Sequence, residues 1–300
     1  MIRRVLFFVC FVILSIHSSL AQQSPDTLFT PQLTQAKYDL GQGPVVAIDG
    51  GHNNLHRLDG GFAPFARLLS ADGYQMRAMN AFSPEAFADI DVLVIVNALH
   101  ESNIRNWKLP TPSAFTKTEI DLVNKWVEAG GRLLVIADHM PYGGAANDLA
   151  QAFGFQYENG FAMGKTQRWP PELYTKEAST LLDNELTKGI PELAGFTGSA
   201  LIAPKTATTI AIFPKKHRLL LPEVAWQFKN NSTKKPLKQQ VFGAVQDYGK
   251  GKVAFFTEAA AFTAQIVQKD FKVGFNSPKA PYNQQFVLNV MHWLDQDLKD

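Results

Sequence analysis

The chain has 300 residues, 46% of them hydrophobic and 19% charged, with 29 Lys and Arg against 27 Asp and Glu. A near-balanced charge with no concentrated basic face excludes a nucleic-acid partner. The single cysteine, Cys10, excludes a disulfide framework and a Cys-based zinc site.

The first 21 residues read as a cleavable export signal. Arg3 and Arg4 lead an apolar run of about a dozen residues that ends in Ser18-Ser19-Leu20-Ala21. The run is too short to span a bilayer, which takes roughly 20 residues, so cleavage after Ala21 is expected to leave a secreted or periplasmic chain without a membrane span. Cleavage also removes Cys10, Arg3 and Arg4, leaving 27 basic against 27 acidic residues and no thiol. The residues before Cys10, Phe7-Phe8-Val9, do not suit a lipid anchor.

Four short apolar runs, 45–49, 92–97, 133–138 and 253–258, predict buried strands, each ending in a polar residue. Helical patterns follow at 62–71, at 116–129 with the capping-box spacing Thr116-Lys117-Thr118-Glu119, at 145–153, and after Pro281. Alternation of strand and helix predicts an α/β fold, a three-layer sandwich on a mostly parallel, flavodoxin-like central sheet. It forms one domain over 22–300 with an irregular insertion around 160–240. In such sheets ligands bind beyond the carboxyl ends of the strands.

Those ends carry the candidate site. After the first strand, Asp49-Gly50-Gly51-His52-Asn53-Asn54-Leu55-His56 supplies amides and imidazoles for a polar ligand. His52 and His56 could hold a divalent metal such as zinc, which would activate water; an Asn-rich turn capping the next helix is the bland alternative. His100 follows the second strand. The third ends in Asp138 and His139 and turns through Gly143 and Gly144 into a helix, a geometry suited to an anion or oxyanion. Glu258 ends the fourth strand, with Gln265 beyond it. A metal-free site would use His139 as base, oriented by Asp138 or Glu258. His217 falls in the basic run 215–218, read as a solvated loop face, and His292 beside Trp293 reads as structural.

The turn after the third strand, with Ala145-Ala146-Asn147-Asp148-Leu149 behind it, resembles the nucleophile-elbow region of the class I glutamine amidotransferase-like superfamily. Asp49 to Asn54, Asp138 to Gly144 and Glu258 to Gln265 together look like exported DUF4350-type proteins, relatives of ThuA-like and GldG/IFT-type domains. The amidotransferases place a cysteine at that elbow; this chain has none there, which excludes glutamine hydrolysis by a thiolate. Two functions follow as expectations. One is a hydrolase-like enzyme acting on a polar small molecule or carbohydrate. The other is a non-catalytic carbohydrate- or peptide-binding module using aromatics such as Tyr142 and Trp169, or an envelope scaffold.

Overall fold

A computed structural model describes residues 23–164, 171–268 and 270–298; the expected signal 1–21 and Trp169 lie outside the described residues. After a short strand β1 (Gln23–Pro25), strands and helices alternate as expected. The order is β2 (Val45–Asp49), α1 (Ala63–Ala71), β3 (Gln75–Met79), α2 (Pro84–Ala88), β4 (Val92–Val96), α3 (Lys117–Glu128), β5 (Arg132–Ile136) and α4 (Tyr142–Gln151). An antiparallel series succeeds them: β6 (Gln156–Met163), β7 (Glu172–Thr175), β8 (Glu192–Gly195), β9 (Gly198–Ile202), β10 (Thr208–Ile212), β11 (Arg218–Leu221), β12 (Thr233–Pro236) and β13 (Val241–Tyr248). The chain then enters β14 (Gly251–Phe256), β15 (Ala264–Val267), β16 (Phe271–Gly274) and α5 (Asn283–Leu294).

Most strands join one 11-stranded sheet ordered β12-β11-β6-β9-β13-β14-β5-β4-β2-β3, with β10 beside β13. Parallel pairing runs from β3 through β2, β4 and β5 to β14. These strands read clearly in the sequence because β4, β5 and β14 are buried at every position, as strands covered on both faces must be. Alternate residues serve two cores. Val46, Ile48, Val94, Leu134 and Phe256 pack with α1 and α5, and Ala47, Leu93, Leu133, Val135 and Phe255 pack with α3 and α4.

The expectation of a mostly parallel three-layer sandwich is overturned. Among the described residues, four pairings of the large sheet are parallel and six are antiparallel. The sheet is mixed, with further antiparallel strands in β7-β8 and β1-β15-β16. The extra strands come largely from the stretch expected as an irregular insertion. They are short, broken by prolines and partly solvated, β12 being exposed at every position, so they lack the continuous apolar run that marks a doubly covered strand.

The cap of α3 forms as the spacing predicts. Thr116 Oγ1 accepts from Glu119 N, and Glu119 returns the bond to Thr116 N at 2.8 Å. Replacing Thr116 with Ala is expected to cost about 1 kcal/mol, read as a lowered urea midpoint.

Candidate functional site

The chain leaves β2 toward β3 on one side and returns to β4 on the other, so the switch in strand order lies between β2 and β4. The loop after β2 closes on itself there. Asp49, fully buried, accepts from Gly51 N at 3.0 Å, from His52 Nδ1 at 2.9 Å through either oxygen, and from Asn54 Nδ2 at 3.0 Å. His52 Nε2 reaches Glu119 Oε1 of α3 at 3.3 Å, and the ring packs against Phe82 and Phe115. Burial pulls the imidazole down, but the hydrogen bond and charge of Asp49, helped by Glu119, outweigh it and leave His52 raised. Asn53 is exposed, with φ 49°, and bonds Leu99 O. Asn54 also bonds Val96 O.

His56 packs on Phe62; its Nδ1 is buried without a partner, and burial lowers it to about 4. The donor set therefore does not fit the zinc expected at His52 and His56. Both nitrogens of His52 face carboxylates already, and among the described residues no three His, Cys, Asp or Glu gather as a metal site. His100 caps a short 3-10 turn, its Nδ1 against Ser102.

After β5, Asp138 ties three strand ends together. It accepts from Asn97 Nδ2 at 2.8 Å and from Ala259 N, while its own N–H bonds Asn97 Oδ1 at 2.9 Å. Desolvation raises it to about 6. His139 turns away into an aromatic cluster, stacked 4.5 Å from Phe161 and edge-on to Trp226 at 4.7 Å. Its Nδ1 is held by Met140 O at 2.8 Å, and burial lowers it to about 4. No hydrogen bond joins His139 to Asp138. The expected glycine turn is instead the first turn of α4, and Gly144 N is taken by Asn159 Oδ1 at 3.2 Å. A Cβ on Gly143 would lie 2.8 Å from Glu158 O, so this glycine serves close packing. Tyr142 Oη is buried without a partner. Gln265 sits in β15, paired with Pro25 of the small sheet.

Glu258 is placed differently. It follows β14, at the seam where the parallel and antiparallel halves meet, and is 2% exposed. Oε2 accepts from Phe196 N at 2.7 Å, but Oε1 is buried with no partner. Desolvation, assisted by Asp138, pushes its carboxyl up to about 8, against the backbone N–H groups of Phe196 and Thr197, which favour the charged form. It lines a cavity of about 20 Å³ with Thr197, Tyr174, Glu172 and His217, room for one water. Gly195 and Gly198 permit the approach: a Cβ at Gly195 would lie 2.9 Å from Glu258 Oε2, and one at Gly198 would lie 2.2 Å from Thr257 O.

His217 is buried at 4% exposure, not solvated as its basic neighbours suggest, and neither ring nitrogen has a hydrogen-bond partner. Its Nε2 lies 3.5 Å from Glu172 Oε1. Burial lowers it below the ordinary imidazole value, partly countered by Glu172. The usable signal was its place just before the apolar run 219–221; nothing local marks Glu172 or Tyr174.

No protein-family model matches the chain, and no curated protein matches it. Among solved structures, the mmIFT52 N-terminal domain is similar at TM-score 0.60 and 12% identity, over 85% of this chain and 99% of that one. A putative ThuA-like protein from Bacteroides uniformis ATCC 8492 is matched at TM-score 0.48 and 13% identity, over 88% and 96% of the two chains. A cytoplasmic protein from Salmonella typhimurium LT2 is matched at 0.48 and 17%, over 83% and 98%. IFT-type and ThuA-like domains are both among the relatives the sequence resembles, and the likeness, which rests on mmIFT52, is one of fold alone.

Proposed function

We propose that this is an exported, cysteine-less amidotransferase-like protein of the DUF4350 type, acting as an acid–base hydrolase on a polar small molecule or carbohydrate whose scissile bond sits at the mouth of the Glu258 cavity, the cavity itself holding only the attacking water. One observation carries the reading: two buried titratable side chains line the same small cavity, Glu258, whose Oε1 makes no hydrogen bond, and His217, whose ring nitrogens make none and whose Nε2 has only the 3.5 Å contact to Glu172. Buried polar atoms are normally satisfied, so two orphans at one opening support a ligand or a reacting water there.

The roles follow from the protonation states. Glu258, raised to about 8, is a carboxylic acid near neutral pH and can donate its proton to a leaving oxygen. His217, lowered, is a free imidazole and can take a proton from water as that water attacks. The substrate's bond to the leaving oxygen breaks, water's oxygen replaces it, and the two protons move from Glu258 to the leaving group and from water to His217. Asp138, tied to Asn97 and Ala259, is assigned positioning and electrostatic work.

The test is hydrolysis of p-nitrophenyl glycosides, esters and phosphate esters across pH. The expected result is turnover of one class with a bell-shaped profile. Its acid limb lies below 6.5, where His217 takes up a proton, and its alkaline limb lies near 8, where Glu258 loses one. No turnover across the panel, or a profile without the alkaline limb, would overturn the assignment; binding without turnover would favour the non-catalytic module.

A further inference from the structure

Two basic runs that are each small in the sequence, 215–218 and 234–238, meet in the fold. β12 is the last strand of the large sheet and pairs antiparallel with β11, placing Arg218 opposite Pro236, Leu219 opposite Lys235 and Leu220 opposite Lys234. Lys215 and Lys216, just before β11, therefore lie at the end of the hairpin where the chain leaves β12 toward Lys238. All six cations are exposed, and among the described residues no ion pair neutralises any of them. The stretch 205–240 holds eight Lys and Arg and one acidic residue, Glu223, in a chain of 29 basic and 27 acidic residues, so the remainder is net acidic.

Lysines on an edge strand discourage pairing with another chain, and one or two on β12 would do that. Lys215, Lys216 and Arg218 belong to β11 and its approach, where there is no edge to guard. Neighbouring strands lie about 5 Å apart, inside the roughly 8–10 Å over which salt screens, so the six charges add into one positive field. The shape of the face selects the partner. β12 is exposed at every position, so the charges stand on a protruding edge, whereas a linear polyanion is held in a groove. Phe161, Leu220 and Lys234 stand opposite one another across β6, β11 and β12, on one face of the sheet. Trp226 packs on Phe161 there and is still 42% exposed. Indole beside lysine is the combination that suits the headgroup layer of a bilayer.

We propose that the β11–β12 hairpin is a peripheral docking face for an anionic phospholipid bilayer, held through Lys215, Lys216, Arg218, Lys234, Lys235 and Lys238. This does not depend on hydrolysis at Glu258. Cosedimentation of the mature chain, 22–300, with phosphatidylcholine vesicles containing about 30% phosphatidylglycerol tests it, with pure phosphatidylcholine vesicles and soluble polyphosphate as controls. Binding to the anionic vesicles is expected, falling more than about tenfold as salt rises from about 0.05 to about 0.5 M. Lys234→Glu/Lys235→Glu, at strand positions open to solvent, should weaken it by more than about tenfold. The matched reversal Lys188→Glu/Lys250→Glu, on exposed residues outside the hairpin, should leave it within about twofold. No binding to anionic vesicles, equal binding to phosphatidylcholine alone, an equal loss in both reversals, or retention of polyphosphate without vesicles overturns the proposal.

Discussion

Glu258→Gln is expected to lower hydrolytic turnover by about 10²–10⁴-fold and at the same time to make the protein more stable at alkaline pH. The two effects share one cause. The carboxyl is held in a buried site that raises it from 4.5 to about 8. A group raised on folding contributes its stability in full below the unfolded value and loses it as pH climbs through the folded one. Between those limits the native state must keep a proton that the unfolded chain releases. At 1.36 kcal/mol per unit, the burden above pH 8 is on the order of 5 kcal/mol as an upper bound. Glutamine keeps the shape and can still accept from Phe196 N, but has no proton to lose. Urea midpoints of the two proteins should therefore diverge from about pH 5 upward, in favour of the variant. A residue that served only to anchor Phe196 would show the alkaline gain without the loss of turnover. An unchanged rate, or a variant less stable at high pH, would sink the acid role.

How far the sequence could reach is visible in the same residues. Strands β2, β4, β5 and β14, which end at Asp49, Val96, Ile136 and Phe256, are legible because a strand covered on both faces must be continuously apolar. The start of α3 was legible because its cap is a local pattern. The antiparallel half was not, since short strands with a solvated face share the composition of loops. Side-chain direction was the other gap. Asp49-Gly50-Gly51-His52-Asn53-Asn54 reads alike as a ligand loop and as a loop bonded to itself. What decides is Glu119, 67 residues away in the chain yet 3.3 Å from His52. His217 was hidden for the same reason: Lys216 and Arg218 are exposed, and only the tertiary fold turns the ring between them inward.

Asp49→Ala should be the most damaging of the single substitutions to stability, at about 3–5 kcal/mol. Its carboxylate is fully buried and gathers Gly51 N, His52 Nδ1 and Asn54 Nδ2. Without it the buried imidazole of His52 has only the long contact to Glu119, and the loop after β2 loses the atom around which it closes. The effect also has a pH signature. His52 is raised in the native state, so the stability it contributes is complete below the unfolded value of 6.5 and fades as pH rises through the higher folded value. The difference between wild type and Asp49→Ala in urea midpoint should thus be largest at mildly acidic pH and shrink above neutrality, opposite in trend to the gap opened by Glu258→Gln. Asp49→Asn should fall between, retaining an acceptor for Gly51 but not the charge. A deficit below about 1 kcal/mol, or one independent of pH, would mean that the loop is held by its backbone bonds, Leu55 N to Asn97 O and Leu99 N to His52 O, and that the Asp49–His52–Glu119 chain is free to do something other than hold it.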